Sequence, residues 1–155
     1  MIGRLYGIWI GAESQSASDT TLLEFTSAAD SVTLIERLSL INVDTNTSEN
    51  CAVKVQRVTT TGTYTSAPVP VPFQAGDAAF GGATKQDATI EPTYTASKVL
   101  LEQGFNILSG FLWTPASDDE VMVISPSGLL GFALDVAGSG AIVWSYGATI
   151  REIGG

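Results

Sequence analysis

The stretch 142–151, Ile142-Val-Trp-Ser-Tyr-Gly-Ala-Thr-Ile-Arg151, alternates large apolar residues with residues that are mostly small or polar. Successive side chains of a β-strand point to opposite faces, so this period of two predicts a strand with one face in a core. The residues expected on the core face are Ile142, Trp144, Tyr146, Ala148 and Ile150.

The same alternation recurs in shorter runs at 32–40, 51–55, 105–113 and 130–134. Turn-forming residues separate the runs, and Gly138 and Gly140 favour a short hairpin that joins 129–135 to 141–152. The best helix candidate is 95–104, although its sequence is equally compatible with a strand. Many strands joined by such turns predict one all-β domain over residues 1–155, a sandwich or a barrel.

Two segments stand apart from the regular runs. Proline alternates with apolar residues over 66–73, and proline cannot donate to a ladder, so this part is expected to be an extended edge or a loop. Together with the Gly/Ala-rich residues that follow, it forms a predicted long loop at 66–89, a length typical of functional or partner-bound loops. Residues 1–10 are interpreted as an N-terminal arm or an edge strand, and not as a secretory signal.

The composition limits the kinds of partner. Apolar residues make up 45% and charged residues 15% of the chain, with a net charge of −9. A free surface usually carries about 25–35% charged residues, so either neighbouring molecules cover part of this surface or Ser and Thr supply its polarity. An acidic chain without a basic cluster is not expected to bind nucleic acid. No run is long enough for a transmembrane helix, so we expect a soluble protein made in the cytoplasm.

The chain has no histidine, which excludes Ser-His-Asp and Cys-His catalysis and histidine-based metal sites. It has no dinucleotide-binding or phosphate-binding glycine motif. Cys51, the single cysteine, is expected to be a small buried apolar residue. We therefore predict no enzyme activity, no catalytic residue, no cofactor and no metal.

Acidic residues leave two alternatives to that prediction. Glu36, Glu102 and Asp135 are the candidates for a glycosidase carboxylate pair, although Glu36 is better explained by pairing with Arg37, Arg57 or Arg151, or by a subunit contact. The run 118–120 offers oxygen ligands for calcium, and a solvated turn is the favoured interpretation.

The tryptophans are assigned by their parity. Trp113 and Trp144 fall on core positions, whereas Trp9 lies in the N-terminal segment and is the one expected at a contact with another chain.

The C-terminal third resembles a known family. An aromatic-proline step (Phe111-Leu-Trp-Thr-Pro115) is followed by a short strand (120–124), a Pro-Ser-Gly turn (126–128), two apolar strands and the acidic end Arg151-Glu-Ile153. This order is similar to that of small jelly-roll phage virion proteins of the head decoration, cement or minor capsid type. The resemblance covers about 50 residues and implies an antiparallel jelly-roll β-sandwich.

The resemblance also implies a function. We expect a homo-oligomer, in this family a trimer, that binds the major capsid protein on the outer surface of the virion and stabilises the head. The alternative is a carbohydrate- or receptor-binding module of a tail fibre or spike. On the arm interpretation, deleting residues 1–10 should weaken assembly and leave the β signal intact. The expected partner contacts are Ile2, Leu5, Tyr6, Ile8, Trp9, Ile10, Val69, Val71 and Phe73.

Overall fold

A computed structural model describes residues 3–15, 20–44, 47–136 and 138–154. In this part of the chain the regular structure is β, apart from one 3-10 turn at Asp118–Glu120. The strands are β1 Arg4–Gln15, β2 Thr20–Thr26, β3 Ser31–Asn42, β4 Asn50–Thr60, β5 Thr63–Ser66, β6 Val71–Pro72, β7 Ala83–Ile90, β8 Thr93–Asn106, β9 Phe111–Trp113, β10 Met122–Ile124, β11 Leu129–Val136 and β12 Ile142–Gly154.

These strands form two six-stranded antiparallel sheets, which confirms the predicted β-sandwich. Sheet A has the order β10-β3-β12-β1-β6, with β9 also paired to β3, and sheet B has the order β5-β7-β2-β11-β4-β8. Aromatic rings pack across the interior: Phe105 of sheet B lies 6.0 Å from Trp144 of sheet A, between ring centroids. Phe111 of sheet A lies 5.9 Å from Phe132 of sheet B.

Three of the predicted alternating runs supply the core as expected. The apolar parity of 142–150, of 51–55 and of 130–134 is buried between the sheets. The parity predicted for the fourth run, 32–40, is wrong in part, because the register between β3 and β12 shifts between Thr149 and Ile150, opposite Glu36. This bulge reverses the parity, so that Leu38 and Leu40 face the core whereas Leu34 is only half-buried on the outer face.

Two predicted connections are also wrong. The run 105–113 is two strands in different sheets, joined by a turn in which Gly110 has a φ of +68°. The predicted hairpin between 129–135 and 141–152 is a crossover, because β11 belongs to sheet B and β12 to sheet A. Alternation reports which face of a strand is apolar, and both sheets bury such a face, so it does not reveal a change of sheet. The candidate helix 95–104 lies within strand β8.

The predicted loop 66–89 holds more structure than expected. Residues from Ala83 onward form β7, which pairs with β2 in sheet B. Val71 and Pro72 form a two-residue edge strand on β1 of sheet A, as the prolines predicted. Between these strands, Phe80 packs edge-on against Tyr6 with ring centroids 5.4 Å apart. One insertion between β4 and β8 therefore contacts both sheets and ties them together along one side.

The buried carboxylate of Glu152 fixes this insertion. It accepts hydrogen bonds from the Gly81 amide (3.0 Å), the Ser31 hydroxyl (3.3 Å) and the Tyr6 hydroxyl (3.3 Å). Arg4 adds an ion pair at 3.8 Å. Because a buried charge is costly without such partners, this cluster is a structural joint.

No helix of the described residues is long and apolar enough to cross a membrane.

Candidate interaction surfaces

The nine predicted contact residues separate according to the face of the strand on which they lie. The prediction is wrong for Tyr6, Ile8 and Ile10, because their side chains are buried in the core and offer no surface to a partner. Leu5 is half-buried, and Ile2 lies outside the described residues. Trp9, Val69, Val71 and Phe73 are exposed. The arm interpretation is therefore wrong: β1 pairs with β12 along its length, and β6 covers only its positions Tyr6 and Gly7.

Trp9, Val71, Phe73 and Arg37 form a cluster on the outer face of sheet A, which we name the Trp9 patch. Trp9 is 54% and Phe73 56% exposed. Both rings lie over Gly7, where a Cβ would come within 2.8 Å of the indole nitrogen and 3.2 Å of the Phe73 ring. The Arg37 guanidinium lies 5.6 Å from the Trp9 ring centroid. Glycine at position 7 therefore lets the two aromatic rings lie flat on the sheet.

The outer face of sheet A remains apolar beyond this patch. Ile41 and Leu112 are 57% and 60% exposed and lie on the same face of β3 and β9. Two of the charges here are paired, because Arg151 donates two hydrogen bonds to Glu36. Of the alternatives predicted for Glu36, the structure shows the pairing with Arg151. An exposed apolar sheet face on a chain of net charge −9 is the property expected of a contact surface.

Sheet B carries a buried polar cluster on its outer face. The Glu24 carboxylate, fully buried, accepts hydrogen bonds from Tyr64 Oη (2.7 Å) and Thr61 Oγ1 (2.6 Å), and Lys85 Nζ lies at 3.4 Å. Burial raises the pKa of Tyr64 well above its usual value, and the hydrogen bond and charge of Glu24 act in the same direction. With its lone pairs occupied, Glu24 is a structural acceptor.

Tyr94 lies next to the Glu24 cluster on the outer face of sheet B. Its hydroxyl lies 2.5 Å from the Thr21 hydroxyl, and its ring covers Gly131, where a Cβ would be 2.7 Å from the phenol oxygen. The Thr21 amide also donates to the Glu91 carboxylate at 3.1 Å. Burial raises the pKa of Tyr94 to about 12, although the hydrogen bond with Thr21 lowers it and nearby carboxylates raise it further.

The structure brings together two of the three candidate acids. Lys54 Nζ bridges Asp135 at 2.8 Å and Glu102 at 3.9 Å on sheet B, whereas Glu36 lies on sheet A. Within the described residues, no three carboxylate or thiol side chains are grouped as metal ligands. The run 118–120 forms the exposed 3-10 turn, in which Glu120 accepts a hydrogen bond from the Ala116 amide at 3.0 Å.

Cys51 and the other two tryptophans occupy the predicted environments. The Cys51 thiol is buried, and desolvation together with the charge of Glu49 raises its pKa, so the nucleophilic thiolate is disfavoured. Trp144 is completely buried, and Trp113 is half-buried against the core.

A groove that the sequence did not predict opens between the edge strand β8 of sheet B and the edge strands β9 and β10 of sheet A. Leu100 and Leu101 form one wall, and Trp113 and Met122 form the other. Arg57 lies at its base, with Asp119 and Glu120 among the other lining residues. We name this feature the Arg57 groove.

Arg57 enters the groove from inside the sandwich. It is paired with Leu130, which is completely buried, and residues directly opposite in a pair share a face, so the Arg57 side chain leaves β4 on the inner face. Desolvation lowers the pKa of its guanidinium. Position 57 continues the core parity of 51–55, and this continuation is the signal that could have revealed it.

The sequence matches no family model, and no curated protein matches it.

Proposed function

We propose that this protein is a non-enzymatic virion protein with a jelly-roll fold, which decorates the outer surface of a phage head as a homotrimer and reinforces the lattice of the major capsid protein. The observation that carries the proposal is the apolar outer face of sheet A, with the Trp9 patch on its β1 and β6 side. A stable contact buries about 800 Å² per partner, about a tenth of the chain's 7394 Å² surface.

The strand order supports the jelly roll. A jelly roll is a long antiparallel hairpin rolled into two sheets, so that among eight main strands the first pairs with the eighth, the second with the seventh, the third with the sixth and the fourth with the fifth. Here β1 pairs with β12, β2 with β11, β3 with β9 and β10, and β4 with β8. In this assignment β5, β6 and β7 are the insertion between the fourth and fifth strands.

The self-association is tested by changing the Trp9 patch. Trp9→Ser and Phe73→Ser should each weaken trimer formation at least about tenfold, because aromatic anchors dominate contact energies. Sedimentation velocity across micromolar concentrations measures the effect, and thermal melts verify folding. Ile90→Ser is the matched control, an apolar residue 65% exposed at the end of β7 in sheet B. A wild-type protein that stays monomeric at these concentrations contradicts the proposal.

The capsid role requires the particle. Cryo-electron microscopy of particles with and without the protein should differ by density on the outer lattice, and particles without it should release their genome at a lower temperature. Density confined to a tail or fibre would contradict the decoration role.

A carbohydrate- or receptor-binding module of a tail fibre is the second candidate, and the half-exposed indole of Trp9 favours it. Exposed tryptophan rings can stack on sugars. A glycan array separates the two: specific glycan binding that Trp9→Ser abolishes would support the fibre module.

A further inference from the structure

The Arg57 groove contains a cation that forms no ion pair with the carboxylates around it. Arg57 is half-buried and forms neither a hydrogen bond nor an ion pair within the described residues. Asp119 and Glu120 line the same groove without bonding to it. In contrast, Arg151 and Lys54 have carboxylate partners on their own sheets. A desolvated cation without a bonded partner is costly, so an anionic group that comes within hydrogen-bond distance of Arg57, closer than Asp119 and Glu120 do, gains a strong partner.

The walls indicate what else the occupant must offer. Leu100, Leu101 and Met122 are aliphatic or thioether side chains, and Trp113 adds an aromatic surface. Apolar side chains on either side of the anionic group match these walls.

The rims of the groove are strand edges. β8 is the last strand of sheet B, and β9 and β10 pair only with β3, so both sides present backbone groups that no strand of the described residues pairs. An extended peptide can add to such an edge through main-chain hydrogen bonds while its alternate side chains enter a pocket.

We propose that the Arg57 groove binds an extended segment of a partner protein, in which an Asp or Glu pairs with Arg57 and apolar residues two positions before and after it contact the groove walls. The inference deepens the proposed function, on which it rests for the identity of the partner, by stating the chemistry of the capsid segment that is recognised.

The first arm of the test is a selection. Random nonapeptides displayed on yeast are selected for binding to the wild-type protein, and the enriched peptides should carry an acidic residue with apolar residues at the positions two before and two after it. Peptides without an acidic residue, or no enrichment at all, would overturn the proposal.

The second arm is a double-mutant cycle with one selected peptide, measured by titration calorimetry. Replacing its acidic residue by the amide should weaken binding to the wild-type protein at least about tenfold, whereas Arg57→Gln should bind both peptides equally weakly. Equal losses on the wild-type protein and on Arg57→Gln would overturn the assignment of Arg57.

Two further variants complete the design. Arg37→Gln, on the outer face of sheet A, should bind the peptide as the wild type does. Leu100→Ser, on an exposed wall, should weaken it, which keeps the site testable if Arg57→Gln does not fold. Peptide binding without density on the capsid would support this site and refute the capsid role. Density on the capsid without peptide binding would support the capsid role and refute this site.

Discussion

Single residues explain how this sandwich accommodates buried carboxylates. Glu24 and Glu152 are both buried, and each accepts several hydrogen bonds from neighbouring strands or from the insertion. A buried carboxylate with its lone pairs occupied is a rigid joint rather than a poised base. The sequence placed neither residue in a cluster, because their partners lie far away along the chain.

The environment of Tyr94 predicts sensitivity to alkali. Its pKa is about 12 in the folded protein and about 10 in the unfolded chain. The unfolded chain therefore loses the phenol proton first. The stabilising contribution is complete below pH 10 and declines as the pH rises toward 12.

Urea unfolding between pH 8 and 11.5 measures this dependence. The free energy of unfolding should fall above pH 10 in the wild type and fall less steeply in Tyr94→Phe. Equal slopes for the two proteins would contradict the assignment.

At the residue scale, sequence parity correctly placed Cys51 and Trp144 in the core. It missed Arg57, because a charged residue at the end of an apolar run looks like the limit of the core. The pairing with Leu130 shows that its side chain remains on the inner face, in line with the parity of 51–55.

Among the elements, β1 agrees with one of its two sequence-based descriptions. It is not an arm, because it pairs with β12 from Arg4 to Gln15 and contributes Tyr6, Ile8 and Ile10 to the core, but its other side is an edge that β6 covers only at two residues. Alternation predicted its strand character but could not reveal its neighbours, since strand order depends on residues more than a hundred positions apart.

Deleting residues 1–10 should therefore abolish folding, contrary to the arm interpretation. The deletion exposes the edge of β12 and removes three buried side chains, each worth about 1.5–3 kcal/mol. Circular dichroism and thermal melts provide the measurement. A deletion variant that retains a cooperative melt near the wild-type temperature would return β1 to the role of an accessory arm.

For the whole molecule, charge and apolar surface are separated. The chain carries a net charge of −9, whereas the exposed apolar side chains of sheet A surround charges that are largely paired. Copies of the protein should repel one another at long range and attract one another through this face at contact.

Salt should consequently strengthen self-association. Raising NaCl from 20 to 150 mM shortens the screening length to about 8 Å, which weakens the long-range repulsion between copies and leaves the apolar contact through the Trp9 patch. Sedimentation velocity at the two concentrations measures this effect, and weaker association at 150 mM would contradict the role of the Trp9 patch.

The insertion between β4 and β8 has a mechanical consequence. It ties the two sheets through β6, β7 and the Glu152 joint on one side, while the opposite side ends in the unpaired edges of β8, β9 and β10. The turn 107–110 joins β8 to β9 on this side as well. We expect the two sheets to separate most along the remaining length of these edges, and a segment bound in the Arg57 groove would hold them together and stiffen the protein.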